Sequence, residues 1–124
     1  MGGGPVHEHN IRVWGVDLAE ESIFIALGIP ARPYVPEVPL EPVAYFTKMP
    51  AKSGIVAEMP DLAALAKRDG VIYAKPMVKV GDKVTGPEED MPTWLMEIMC
   101  TRPTVQEAVD YVFKLDHETQ LKFK

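Results

Sequence analysis

The clearest hydrophobic pattern in the chain lies near its C-terminus. After Thr104, apolar residues recur at intervals of three and four, at positions 105, 108, 109, 112 and 113. This spacing places them on one face of a helix. Thr104 and Glu107 have the spacing of a capping box, in which each residue satisfies a backbone N–H of the other. The pattern therefore predicts an amphipathic helix over Thr104–Leu115, with His117 in the turn that follows it.

Short apolar runs bounded by Gly, Pro and Asp predict strands in the region from residue 43 onward. The predicted strands are residues 43–47, 54–58, 71–80, 83–85, 94–100 and 119–123. Pro76 interrupts one run, which predicts a bend or a free sheet edge there. Asp61 can cap a short helix that Gly70 ends. These elements predict an α+β fold, in which a small, mostly antiparallel sheet carries the C-terminal helix on one face.

The first 28 residues show a helical pattern that is interrupted at Gly15. Pro5 suits the first position of a helix, where its missing N–H costs nothing. Asp17 can cap a second helix that begins at Leu18. We expect this second helix to be buried on two sides, because its apolar residues lie on more than one face. Those residues are Ile23, Phe24, Ile25 and Leu27.

A proline at every third position distinguishes residues 30–42, with prolines at 30, 33, 36, 39 and 42. Polyproline II has three residues per turn, so all five would lie on one face of a stiff, extended segment. We interpret this segment as an ordered strap that packs against the sheet. A ligand for a proline-binding module is the alternative. The strap divides the chain into residues 1–29, the crossover 30–42, and an α+β subdomain at 43–124.

Composition narrows the classes of function. The 124 residues are 47% hydrophobic and 25% charged, which is ordinary for one soluble domain. The net charge of −5 gives no reason to expect nucleic acid. No apolar run approaches the roughly 20 residues that a membrane-spanning helix needs. The single cysteine, Cys100, and the absence of a secretory pattern predict the cytosol, with Cys100 as a buried small hydrophobe.

The order of short motifs extends over nearly the whole chain. A Met-Gly-Gly-Gly opening leads to Gly-Val-Asp-Leu at Gly15–Leu18, an apolar helix and the proline-rich crossover. Ser-Gly-Ile-Val, Val-Gly-Asp-Lys-Val at Val80–Val84 and the Thr-x-x-Glu-Ala helix follow. This order resembles the C-terminal region of ATP-grasp carboxylate–amine ligases, as found in biotin carboxylases and amino-acid ligases. The opening is most similar to carnosine-synthase-like enzymes, in which a Met-Gly-Gly turn precedes a Gly-Val-Asp-Leu helix.

The resemblance implies one part of an enzyme that uses ATP and Mg²⁺ to phosphorylate a carboxylate, which an amine then attacks. It assigns substrate contact to the backbone of Gly2, Gly3 and Gly4, because glycine N–H groups can approach an anion closely. The family's Glu-x-Asn-x-Arg strand, which precedes this turn, has no counterpart in the sequence. We therefore assign no catalytic residue and no metal ligand to this chain, and expect it to be inactive alone.

The missing strand also predicts the partners. We expect Met1 to be an internal methionine of a longer protein or an artificial start. The expected partner is the missing N-terminal ATP-grasp lobe or a second copy of the chain. The complete enzyme would act on an amino-acid-like substrate.

The sequence has three other interpretations. His7 and His9 are two residues apart and would point in different directions on a helix, so they are a weak metal signal. A stand-alone interaction or oligomerisation module is the first alternative function. A biotinyl- or lipoyl-carrier-like domain is the second, because Val80–Val84 is similar to a carrier hairpin. Such carriers need an exposed lysine in a tight turn beside methionine, and the nearest matches are Lys48 and Lys75.

Overall fold

A computed structural model describes residues 4–124 of the chain. The elements occur in the order α1 (Pro5–Trp14), α2 (Leu18–Ala26), β1 (Val43–Lys48), β2 (Gly54–Glu58), α3 (Leu62–Leu65), β3 (Val71–Pro76), β4 (Lys83–Val84), β5 (Met96–Thr101), α4 (Val105–Glu118) and β6 (Lys122–Phe123). The predicted α+β class is confirmed, and all strand pairings among these residues are antiparallel. No helix in this range is long and apolar enough to span a bilayer.

The strands form two three-stranded sheets, whereas the sequence predicted one. The first sheet has the order β1-β5-β3, and the second has the order β4-β2-β6. Strands β4 and β6 contain two residues each. Segments this short carry no readable alternation of apolar and polar residues, so the sequence pattern could not assign them to a separate sheet.

Strand β5 is the centre of the first sheet and is buried on both faces. Met96, Ile98 and Cys100 belong to the main core, together with buried residues of α3 and α4. Glu97 and Met99 alternate with them along the strand and therefore point to the opposite face. All five of these side chains are at most 3% exposed. This double burial explains why the strand is an almost continuous apolar run rather than an alternating one.

Helix α4 covers the main-core face of the first sheet. Thr104 accepts a hydrogen bond from the Glu107 N–H and the capping box is complete, as the sequence predicted. The helix continues to Glu118, one turn beyond the predicted end, so His117 is helical and not in a turn. Thr119 then donates its hydroxyl to the Leu115 carbonyl at 2.7 Å, which satisfies an acceptor at the helix end.

A second, smaller core joins the second sheet to β5. It contains Val56, Val84 and Leu95. Met59 and Leu121 pack against this cluster and against the main core as well. These two side chains therefore connect the two sheets.

The two N-terminal helices begin and end where the sequence predicted. Gly15 closes α1 in the left-handed conformation, with φ of 69°. Asp17 accepts hydrogen bonds from the N–H groups of Ala19 and Glu20 at the start of α2. The expected burial of α2 on two sides is wrong for the described part of the chain, where none of its residues is buried. Residues 4–124 supply no second surface to cover this helix.

The sequence predicts that the proline-rich strap packs against the sheet. In the structure the strap lies mainly against helices α1 and α2. The Leu40 N–H donates to the Val13 carbonyl at 2.9 Å. A Cβ on Gly15 would lie 3.2 Å from Leu40 Cδ1, so the strap crosses the junction of α1 and α2 closely. It reaches the first sheet at Pro42, whose carbonyl accepts from the Thr101 hydroxyl at 2.8 Å.

Candidate functional site

The described end of the glycine turn lies against the first sheet, on the face opposite the main core. Gly4 has a φ of 59° and is followed by Pro5, the first residue of α1. A Cβ on Gly4 would lie 3.1 Å from Glu97 Oε2. The positive φ and this close approach both favour glycine. Gly4 is exposed on its other side, while Gly2 and Gly3 lie outside the described residues.

Glu97 is a buried carboxylate with a tyrosine as its partner. Its side chain belongs to β5 and the residue is 3% exposed. Tyr73, on the neighbouring strand β3, donates its hydroxyl to Glu97 Oε1 at 2.5 Å. Burial, followed by the hydrogen bond and the negative charge of Glu97, raises the pKa of Tyr73. A raised pKa keeps the phenol protonated, so Tyr73 remains a hydrogen-bond donor to the buried carboxylate.

Strand register places the side chains of this face in two rows across the sheet. The rows are Thr47–Glu97–Lys75 and Tyr45–Met99–Tyr73. Directly opposed side chains have Cβ atoms about 4.5–5.5 Å apart. Lys75 Nζ also lies 4.2 Å from the centre of the Tyr73 ring, a cation–π distance. The face therefore combines one buried carboxylate with aromatic, hydroxyl and ammonium groups.

Helix α1 covers one end of this face. The His9 ring meets the Tyr45 ring edge to face, with their centres 5.7 Å apart. Glu8 Oε1 lies 2.7 Å from Arg12 Nε, and Arg12 Nη1 lies 3.2 Å from Glu41 Oε2. Arg12 is thus held between two carboxylates on the surface of α1 and the end of the strap.

The two N-terminal histidines have different neighbours. His7 Nδ1 lies 3.8 Å from Asp17 Oδ1, whereas His9 contacts Tyr45. This divergence follows from their spacing of two residues on a helix. Within residues 4–124, no three His, Cys, Asp or Glu side chains are placed to hold a metal ion.

The residues around Gly4 do not fit the phosphates of ATP or a Mg²⁺ ion. The nearest charged group, Glu97, is anionic and would repel a phosphate. Arg12 already pairs with two carboxylates. Mg²⁺ requires octahedral oxygen coordination, and the described residues group no such set of carboxylates. The residues around Gly4 therefore do not form a nucleotide-binding site.

Two cavities open between the helices and the strap. One has a volume of about 430 Å³ and the other about 350 Å³, and Trp14, Val16 and Pro33 line both. The larger cavity is also lined by Glu20 and Glu21. Oε2 of Glu21 is enclosed and has no hydrogen-bond partner among the described residues. We refer to this pair as the helix–strap cavities.

Sequence reasoning missed Glu97 and Tyr73. Glu97 is the only charged residue between Trp94 and Cys100. A charge inside a strand that is apolar on both faces requires a buried partner, and that requirement was the available signal. Tyr73 carries no comparable signal, because an aromatic residue is ordinary in a strand.

The two lysines nearest to the carrier pattern are not at turns. Lys48 ends β1 and its Nζ lies 2.7 Å from Asp116 Oδ1. Lys75 lies within β3 beside Tyr73. Neither position presents an exposed lysine at the tip of a tight hairpin. Cys100 is buried as expected, and burial raises the pKa of its thiol.

The fold of this chain is similar to part of a longer protein of known structure. The sequence matches no protein-family model and no curated protein. Among solved structures, the chain is similar to an L-amino acid ligase from Bacillus licheniformis, with a TM-score of 0.80 and 16% sequence identity. The similarity covers 99% of this chain and 30% of that ligase. The predicted resemblance is confirmed at the level of the fold: nearly the whole chain has the fold of part of an L-amino acid ligase.

Proposed function

We propose that this chain is the substrate-side part of an ATP-dependent ligase that joins a carboxylate to an amine. The observation that carries the proposal is the shared fold, which includes 99% of this chain and 30% of an L-amino acid ligase. The reaction and an amino-acid-like substrate are taken from the name of that enzyme. The similarity of the glycine opening to carnosine-synthase-like enzymes supports that subgroup.

In this proposal the backbone of Gly2, Gly3 and Gly4 contacts the substrate. The local support comes from Gly4, which has the carboxylate of Glu97 on one side and is exposed on the other. The roles of Gly2 and Gly3 rest on the resemblance.

ATP and Mg²⁺ would be bound by another lobe of the enzyme. Among residues 4–124, no three His, Cys, Asp or Glu side chains are placed to hold a metal ion such as Mg²⁺. The purified chain should therefore neither hydrolyse ATP nor form peptide bonds. A cytosolic location accompanies the proposal, because a single buried thiol suits a reducing compartment.

The decisive experiment recombines the two parts. The reading frame upstream of the Met1 codon should encode a lobe that carries Glu-x-Asn-x-Arg, and this lobe is purified separately. ADP release and peptide products are measured by mass spectrometry for the chain, the lobe and their mixture, with amino-acid pairs and MgATP. Peptide formation in the mixture alone is expected. A lobe in which the motif Glu is replaced by Gln is the control, and it should abolish the product.

Three results would overturn the proposed function. One is Mg²⁺-dependent ADP release by the chain alone, in proportion to its concentration. The second is the absence of peptide from a mixture of wild-type parts. The third is the absence of such an upstream frame.

A further inference from the structure

Helix α2 and the residues just after it expose apolar side chains on two sides. Ile23 and Leu27 are four residues apart and form one ridge, with exposures of 60% and 71%. Ile25 is two residues from Ile23 and therefore lies on another side of the helix, and Ile29 follows the end of the helix; we call these two residues the second ridge, and their exposures are 59% and 49%. No residue of α2 is buried by the part of the chain that the structure describes. Contiguous exposed apolar surface of this kind marks an interaction site.

The strap extends this apolar surface. Tyr34 is 84% exposed and Val35 is 54% exposed. The helix–strap cavities open beside them and are lined by Trp14 and Pro33. Cavities next to exposed apolar side chains can receive the side chains of a partner, as the centres of protein interfaces do. We define the α2 surface as the six residues Ile23, Ile25, Leu27, Ile29, Tyr34 and Val35.

We propose that the α2 surface docks onto the nucleotide-binding lobe of the ligase, which encloses α2 from two sides. This inference rests on the proposed function, because that function requires a second lobe. The inference adds the surface of this chain to which the lobe binds. The docking face is the helix and strap, and not the sheets or α4.

The two ridges favour a lobe over a second copy of the chain. A helix that is apolar around most of its circumference belongs inside the core of a larger unit. In a symmetric dimer the same patch of each subunit contacts its counterpart on the other subunit. Such a contact would cover one ridge and leave the other ridge exposed to water. The ligase that shares this fold has 70% of its chain outside the matched region, which is enough polypeptide to enclose a short helix.

Another exposed aromatic residue provides a matched control. Phe113 on α4 is 67% exposed, within the range of the ridge residues. It lies on the helix that covers the first sheet, far along the chain from α2. If general hydrophobicity caused association, Phe113 would contribute as much as Ile23.

The test measures binding of the chain to the separately purified upstream lobe by sedimentation velocity and calorimetry. Ile23→Asp removes one ridge, Ile25→Asp the other, and Phe113→Asp is the control. Each ridge variant should raise the Kd at least tenfold, whereas the control should change it less than twofold. All three residues are exposed, so their melting curves should match the wild type. This check separates loss of docking from loss of folding.

Three results would overturn the inference. In the first, both ridge variants bind as tightly as the wild type. In the second, only one ridge variant weakens binding, so α2 is not enclosed. In the third, the chain alone forms a dimer that Ile23→Asp dissociates, which assigns the surface to a second copy. Peptide formation by the wild-type mixture is scored separately. Peptide with unaffected ridge variants refutes this inference alone, whereas ridge-dependent binding without peptide refutes the proposed function alone.

Discussion

At the scale of single residues, two glycines have nearly the same backbone conformation in different surroundings. Gly70 has a φ of 75° and Gly28 a φ of 77°. A Cβ on Gly70 would lie 2.7 Å from the Thr101 carbonyl oxygen and would overlap the Arg102 guanidinium, whereas a Cβ on Gly28 would meet nothing within 4 Å. Comparing Gly→Ala substitutions at the two positions therefore separates the energetic cost of backbone strain from that of steric overlap.

We expect Gly28→Ala to lower the free energy of unfolding by about 1 kcal/mol, the cost of a left-handed alanine. Gly70→Ala should lower it by about 3 kcal/mol, because overpacking against backbone adds to the same strain. Urea denaturation of both variants measures the difference. Equal losses would show that the contact with Thr101 is relieved without cost.

Tyr73 gives the protein a pH dependence in the alkaline range. An ordinary tyrosine has a pKa of 10.0, and burial together with Glu97 raises the pKa of Tyr73 in the folded chain. The folded state therefore retains a proton that the unfolded state loses, so stability is complete below pH 10 and falls as the pH rises above it.

The variant Tyr73→Phe should flatten the decline of stability above pH 10, because it has no proton to lose. Tyr34→Phe is the control, since Tyr34 is 84% exposed and makes no contact with Glu97. Urea denaturation of the three proteins at a series of pH values from 8 to 11 measures the slopes. A Tyr73→Phe slope equal to that of the wild type would contradict the assigned hydrogen bond.

At the scale of elements, two helices have similar caps and unequal roles. Thr104 caps α4, which supplies buried residues to the main core. Asp17 caps α2, which supplies none. Loss of a cap removes about 1 kcal/mol from the helix it starts. That loss lowers the free energy of global unfolding only when the helix must be intact for the core to form.

Thr104→Ala should therefore lower the free energy of global unfolding by about 1 kcal/mol. Asp17→Ala should lower it by less than about half that amount, while amide exchange in the first turn of α2 becomes faster. Hydrogen exchange with mass spectrometry records both effects in one experiment. Equal global losses would mean that α2 unfolds together with the core.

Sequence reasoning succeeded for elements whose pattern is complete within the element. The helix after Thr104 is predicted by its own periodicity, and the strand that ends near Cys100 is predicted by its short, continuous apolar run. Burial of α2 and the course of the strap could not be predicted in this way. Both depend on which other residues pack against these segments. The apolar residues of α2 indicate a contact, but none of them is buried by residues 4–124.

At the scale of the whole molecule, Leu121 connects the two hydrophobic cores. It packs against the main core and against the cluster of Val56, Val84 and Leu95. It also precedes β6, which pairs with β2. The second sheet is therefore coupled to the first through few side chains.

Leu121→Ala should reduce the free energy of unfolding by about 2 kcal/mol, the low end for leucine because the residue is half-buried. The larger consequence is a loss of cooperativity. Amide exchange in β2 should become faster than in β5, while in the wild type both open together. Val38→Ala, at a side chain that is 70% exposed, is the control and should change neither. Coincident exchange in Leu121→Ala would show that the cores remain coupled through Met59.

The candidate site is also a property of the whole molecule. Gly4, Tyr73 and Glu97 come from the start of α1, an edge strand and the central strand. The sequence identified the glycine because a motif contains it. It could not place the glycine beside Glu97, because strand register and helix docking determine that contact.

Because Cys100 is buried, the reaction of its thiol with a labelling reagent can report the unfolding kinetics of the chain. The thiol is the single cysteine of the sequence, is fully enclosed in the central strand, and lies 3.6 Å from the Ala108 carbonyl oxygen. A thiol reagent can reach it only after β5 separates from α4. The rate of covalent labelling in native buffer therefore counts openings of the main core without an engineered probe. Labelling in the presence and absence of a bound partner would report how strongly binding at the α2 surface suppresses opening of the main core.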